Sequence, residues 1–162
     1  MNIRKLDRED LELICRHREA MFRDAGRDDE ILGTMTEHFR DWLRPRLEDG
    51  SYFGFIVSDD KQAVAAIGLM VIDWPPHPSH PTTDKRGYVL NVYVEPTHRK
   101  RGIARELMAL AEAEFSKRGV RFAILHSTEN ARPLYTALGW NGTTEMSKAI
   151  TVGQRELERP EG

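Results

Sequence analysis

At 162 residues the chain is long enough for one compact domain with a real core and too short for two ordinary ones. Apolar residues make up 40% and charged residues 31%, and the formal net charge of -2 gives no general drive toward nucleic acid or an anionic membrane, so anion recognition has to be local. The one cysteine, Cys15, cannot form an internal disulfide. No apolar run approaches the roughly 20 residues that span a bilayer, and Met1 to Lys5 lacks the apolar segment of a leader, so a cytoplasmic protein is expected.

In chain order, Ile3 to Leu6 alternates like a short strand, and Asp7 with Glu9 and Asp10 offers a cap and an acidic first turn. A helix follows with the stripe Leu11, Ile14, Cys15, Arg18, Phe22, in which a guanidinium holds one core-facing slot; Gly26 closes it. Asp28 or Asp29 caps a second helix with Ile31, Leu32, Met35, Phe39 and Trp42 on one face, ending near Pro45. Tyr52 to Val57 and Ala63 to Ile72 read as strands joined by a short polar turn. The proline-rich stretch from Trp74 to Gly87 reads as an exposed loop. Val89 to Val94 is an apolar strand. The helix of Ile103, Leu107, Leu110, Ala111 and Phe115 comes next and stops at Gly119. A strand over Phe122 to Leu125, a short helix from Asn130 to Leu138 with Pro133 in its first turn, and a last strand from Thr143 to Ile150 complete the pattern.

The order β-α-α-β-β-β-α-β-α-β mixes antiparallel strands with a strand-helix-strand crossover, so a mixed sheet of α/β or α+β class is expected. Residues 1–152 form a single domain in this reading, and 153–162 a polar C-terminal tail. The most telling segment is the turn after the central strand. Arg99, Lys100 and Arg101 stand where a helix start is already positive, which is unfavourable unless something negative sits among them. That points to a bound polyanion, most simply a phosphate-bearing cofactor. The turn is neither a P-loop nor a dinucleotide fingerprint; it reads R-x-x-G-x-A from Arg99 through Gly102 to Ala104.

These residues resemble the signature [Q/R]-x-x-G-x-[G/A] of the GCN5-related N-acetyltransferase (GNAT) superfamily. The segment from Ala131 through Tyr135 to Trp140 resembles that family's later signature. The two motifs are correctly ordered, and the element order extends the likeness over nearly the whole chain. The resemblance implies a splayed sheet flanked by helices and acetyl-CoA as co-substrate. It assigns pantetheine to the main chain of Val92 and Val94, and pyrophosphate to Arg99, Lys100, Arg101, Gly102, Ile103, Ala104 and Arg105. The family's usual Asn before the motif tyrosine is replaced by Thr128, with Asn130 two residues further on; cofactor contact is expected from this point without a specific Asn role.

Acetyl transfer to an amine requires a neutral nucleophile, a stabilised oxyanion and a proton for the departing thiolate. Tyr135 occupies the family's position for the general acid, and the Val92 N–H would serve the oxyanion. For the base, Asp73, Glu95, His126 and Glu129 compete with a water chain; His126 is the best single candidate, since its ordinary pKa lies near 6.5. Arg18 should pair with a carboxylate, either in the protein or on the acceptor, because an unpaired buried guanidinium is costly. Phe22 is grouped with it, and Phe39 and Trp42 could contribute pocket walls or simply pack. His77-x-x-His80 resembles half a metal site without companions, so no metal is expected.

The leading expectation is transfer of an acetyl group to a primary amine of a small molecule or peptide in a ternary complex. The alternative is a CoA-binding or sensing domain without turnover. A nucleic-acid contact by Arg99 to Arg101 finds poor support in a net-acidic chain, no membrane partner is expected, and edge strands leave a homodimer open.

Overall fold

The computed structural model describes residues 1–152; the tail anticipated for 153–162 lies outside the described residues. The strands lie in chain order across one mixed sheet: β1 (Asn2–Lys5), β2 (Phe53–Asp59), β3 (Gln62–Asp73), β4 (Lys85–Val94) and β5 (Ala123–Leu125). Neighbours from β1 to β4 are antiparallel, and β5 joins β4 in parallel. The β2–β3 turn holds Asp60 and Lys61 at φ 43 and 69, the paired left-handed residues of a tight hairpin.

Four helices flank the sheet: α1 (Leu11–Asp24), α2 (Asp29–Glu48), α3 (Ile103–Lys117) and α4 (Arg132–Ala137). Asp28 caps α2 by accepting from the Glu30 N–H. Alternate strand residues face two separate cores. Leu69 and Val89 join Leu107, Met108, Ala111 and Phe115 of α3, whereas Met70 and Leu90 join Ile14, Cys15, Phe39 and Leu43 of α1 and α2.

Two irregularities of β4 shape the site. It pairs with β5 only at Gly87↔Ala123, Tyr88↔Ile124 and Val89↔Leu125, so from Leu90 onward it has no partner on that side. On its other side the register moves from Gly68↔Leu90 to Ala66↔Tyr93, which inserts one extra residue, a β-bulge. Asn91 sits in that bulge at φ 55, a left-handed conformation that asparagine tolerates better than other side chains.

Four expectations need correction. The second helix does not end near Pro45 but runs to Glu48. Pro45 cannot donate to the preceding turn, yet Leu43 and Leu47 extend the buried stripe past it, and the Arg46 guanidinium donates to the Trp42 carbonyl at 2.7 Å. On the same helix Ile31 is 66% exposed, because the stripe runs instead through Leu32, Thr36, Phe39, Leu43 and Leu47. The proline-rich stretch is not all exposed loop. Strand β4 begins at Lys85, and His80 and Arg86 are buried, His80 Nε2 accepting from Arg86 Nε at 2.9 Å with Arg86 packed over Trp74 and Phe122. Finally, residues 143–150 form no strand, so the described residues carry five strands rather than six. Met146 and Ile150 bury nothing there, and without burial a β-prone run has little to hold it on a sheet.

Candidate active site

The fork where β4 and β5 part organises everything nearby. Past it, the main chain of Val92 and Val94 faces a gap with no strand beside it. The chain then passes through a short 3-10 turn, Pro96–His98, into the loop that opens α3. Lys100 at φ 61 and Gly102 at φ 81 curl that loop, and the first bond of the helix runs from the Glu106 N–H to the Gly102 carbonyl. Among the described residues the N–H groups of Lys100, Arg101, Gly102, Ile103, Ala104 and Arg105 therefore have no protein acceptor. Unpartnered donors at a helix start are suited to an anion. A Cβ built on Gly102 would meet nothing within 4 Å, so the glycine serves the left-handed turn and borders open space.

The three cations of this loop divide. Arg99 turns inward: it pairs with Asp24 at the end of α1 and donates from Nε to the Val94 carbonyl at 2.9 Å. Its guanidinium, still 42% exposed, ties the end of α1 to the loop. Lys100, Arg101 and Arg105 are exposed or nearly so and make no ion pair among the described residues. Ile103 points into the core, and Ala104 is half-buried.

Beyond β5, the Thr128 carbonyl accepts from the Ala131 and Arg132 N–H groups while its Oγ1 accepts from Ala131, which starts α4; Asn130 is exposed beside it. Thr128 thus has a local structural task. Tyr135, on α4, is buried in the core on the α3 side, its hydroxyl has no hydrogen-bond partner among the described residues, and burial pushes the phenol above its ordinary pKa. His126 lies at the fork, with Nδ1 2.8 Å from the Tyr88 hydroxyl and Nε2 2.9 Å from Glu145. Tyr88, Glu145, Asn91, Tyr52 and His17 were not singled out from the sequence. For Asn91 there was a signal: one polar residue within an apolar strand run, Val89 to Val94.

On the opposite side of β4, helices α1 and α2 flank a cavity of about 440 Å³ lined by Arg18, Met35, His38, Phe39, Trp42, Met70, Tyr88 and Leu90. Arg18 Nη1 donates to Asn91 Oδ1 at 2.6 Å, and Asn91 Nδ2 donates to the buried Tyr52 hydroxyl at 2.8 Å. The guanidinium lies 5.0 Å from the Phe22 ring centroid and 4.6 Å from that of Phe39. Among the described residues no carboxylate pairs with it, so the internal salt bridge left open by the sequence is not found there. The possible half metal site also has another use: His80 Nδ1 reaches the Thr83 carbonyl at 3.0 Å, so both ring nitrogens have protein partners.

This geometry joins a strand edge open at a fork, unpartnered N–H groups beyond it and an open side-chain cavity across the strand. The family model for "Acetyltransferase (GNAT) family" matches residues 11–140, and the chain belongs to that family, the GCN5-related N-acetyltransferases. A GCN5-related N-acetyltransferase from Ralstonia eutropha JMP134 superposes with a TM-score of 0.91 at 62% identity, covering 92% of this chain and 97% of that one. A "predicted acetyltransferase with acetyl-CoA" from Clostridium acetobutylicum gives 0.84 at 26% identity, covering 92% and 95%. An aminoglycoside 6'-N-acetyltransferase from Acinetobacter haemolyticus, at 16% identity and a TM-score of 0.67 over 94% and 99%, shares the fold alone. A search of curated proteins returns no match. No helix among the described residues is long and apolar enough to cross a membrane.

Proposed function

We propose that the protein transfers an acetyl group from acetyl-CoA to a primary amine in a ternary complex. The observation that carries this reading is the continuity of the unpaired β4 edge with the six unpartnered N–H groups at the start of α3, a path of free hydrogen-bonding groups suited to pantetheine and then pyrophosphate. Acetyl-CoA, when bound, supplies an acyl group activated as a thioester. Val92 and Val94 offer main-chain groups to pantetheine, and Lys100 to Arg105 offer N–H groups and cations to the pyrophosphate. Thr128 and Asn130 border the same gap.

The acceptor ammonium loses a proton to the Tyr88 hydroxyl, which passes its own to Nδ1 of His126, the base we favour; Nε2–H of His126 donates to Glu145, which fixes that tautomer. The neutral amine then attacks the acyl carbon; a C–N bond forms, the nitrogen gives its surplus proton to water, the C–S bond breaks, and the Val92 N–H donates to the carbonyl oxygen. Tyr135 gives its proton to the departing sulfur and is reprotonated from solvent. Its raised pKa keeps the phenol protonated at neutral pH, as an acid must be. Calorimetry with acetyl-CoA and free-thiol release with an amine panel test the reading. A folded protein that binds no acetyl-CoA would remove it.

A further inference from the structure

A guanidinium in an apolar cavity normally has a carboxylate beside it, and among the described residues Arg18 has none. Of its three nitrogens only Nη1 has a protein acceptor, Asn91 Oδ1; Nε is closed off from solvent with no partner, and Nη2 has none among the described residues. The ionisable groups that it faces are Tyr52, Tyr88 and Cys15, all neutral near pH 7, and burial depresses its own pKa from a value so high that it stays charged. A buried donor without an acceptor costs about 1–3 kcal/mol, and a charged one more. The protein nevertheless holds Arg18 firmly, between the Phe22 and Phe39 rings and against the Tyr52–Asn91 pair.

Tyr52 is kept in turn by Gly68, where any Cβ would lie 2.0 Å from its hydroxyl. The arrangement is a preorganised cationic group with open valence, set in a wall of Phe39, Trp42, Met70 and Leu90. Among the described residues that wall contains no acidic side chain to neutralise a second ammonium.

The position of Arg18 limits where an anionic group can sit on the acceptor. Its partner Asn91 directly precedes Val92 in the bulge, two residues past the last β4–β5 pair, and Tyr88, which lines the same cavity, holds His126 at the fork. The groups that would take up an acceptor's carboxylate and its amine are therefore tethered to one stretch of strand, Arg18 through Asn91 and His126 through Tyr88.

Resting on the acetyltransferase reading above, we propose that the acceptor is a small amine of the amino-acid class, with its carboxylate on Arg18, its apolar or aromatic side chain against Phe39, Trp42 and Met70, and its amine a few bonds away at the fork. Polyamines and aminoglycosides, which present several ammonium groups and no carboxylate, are poor acceptors for this cavity.

The test begins with binding to the native protein without acetyl-CoA. Calorimetry compares 3-phenylpropionate with 3-phenylpropanamide; these differ in charge at one end and keep the same apolar body. The carboxylate is expected to bind at least about 10-fold more tightly, the range of a charge-assisted hydrogen bond. Equal affinity, or no binding of either, overturns the proposal. In Arg18→Gln the preference should fall to near one; a preference that persists in the folded variant also overturns it. The native comparison needs no variant, so it decides even if Arg18→Gln does not fold.

Turnover then supplies the second arm. Phenylalanine should exceed phenylalaninamide and phenethylamine in kcat/KM by about 10-fold or more, and spermidine by more still. Phenylalaninamide acetylated as efficiently as phenylalanine would overturn the acceptor class while leaving the acetyltransferase reading intact. Failure to bind acetyl-CoA, with the 3-phenylpropionate preference preserved, would instead remove the reaction and leave the carboxylate site.

Discussion

The two sides of β4 recognise their ligands by different means. On the α3 side the binding groups are main-chain N–H donors of consecutive residues, Lys100 to Arg105, set by a local turn with two left-handed residues. On the α1–α2 side the groups are side chains brought together from distant parts of the chain: Arg18 and Asn91 are 73 residues apart, and Asn91 and Tyr52 are 39 apart. A backbone cradle fits a ligand portion that does not vary, because N–H groups are present whatever the side chains are. A side-chain cavity can be rewritten residue by residue without disturbing the turn. The comparison teaches that cofactor recognition and acceptor choice are separable in this fold, and substitutions on each side should show it.

The largest effect is expected at Gly102. Its φ of 81 strains any L-residue, and the open space beside it would receive a side chain carrying charge into the anion cradle. Gly102→Glu should weaken acetyl-CoA binding by about 10³-fold or more through repulsion and obstruction combined, as read by calorimetry, and leave 3-phenylpropionate binding unchanged. Loss of both ligands in a folded variant would mean that the two sides are not separable.

Tyr135 belongs to the α3 side, and in the proposed reaction it acts on the reacting group. Tyr135→Phe should lower kcat by about 10²-fold with little change in affinity for acetyl-CoA or acceptor, because a general acid works mainly in the transition state. Single-turnover kinetics measure the chemical step directly; an unchanged rate would return Tyr135 to plain packing in the core.

His17 offers a control that touches stability and neither ligand. Its ring is buried with both nitrogens unpartnered, 4.8 Å from the Tyr93 ring, and burial, with some help from Arg16, pushes its pKa down to about 4. Glu95 lies 3.6 Å away but is 38% exposed, so it offsets little of this. Between about pH 4 and 6.5 the unfolded chain binds a proton that the native ring refuses, so stability falls as pH drops through that window, by up to about 3 kcal/mol for this group. His17→Phe should flatten that part of the pH dependence of Tm relative to the native protein. An unchanged slope would show that the imidazole charges in place.

The cofactor side was legible in the sequence because its logic is local. R-x-x-G-x-A and the later segment around Tyr135 fall within short windows, and the strand, turn and helix around them follow from period and punctuation. Even there, one neighbour was not visible: Arg99 reads as a phosphate contact, and only the fold brings Asp24 from 75 residues away to pair with it. On the acceptor side the sequence showed a guanidinium in a core-facing slot and left its partner open between a protein carboxylate and a substrate. The partner is neither charged nor near in sequence, and a β-bulge decides it, because the extra residue at 91 allows Leu90 and Asn91 both to serve the α1–α2 side. Tertiary burial likewise overrode the expected stop at Pro45, and its absence left 143–150 without a strand.

Asn91 is where the two sides meet, and it supplies the finest test. It orients Arg18 through Oδ1 and lies one residue before Val92, on the strand edge assigned to the cofactor. Asn91→Asp preserves shape and suits the left-handed φ of 55, and Tyr52 can donate to the new carboxylate, so the bulge should persist. What changes is that Arg18 gains an internal anion. If Arg18 reads an acceptor carboxylate, that anion competes with it, and KM for phenylalanine should rise about 10-fold while acetyl-CoA affinity stays constant. If the guanidinium is purely structural, the added ion pair should raise Tm and leave KM alone. A shift in acetyl-CoA affinity alone would break the separation, since it would mean that the bulge couples the acceptor cavity to the cofactor edge through the main chain.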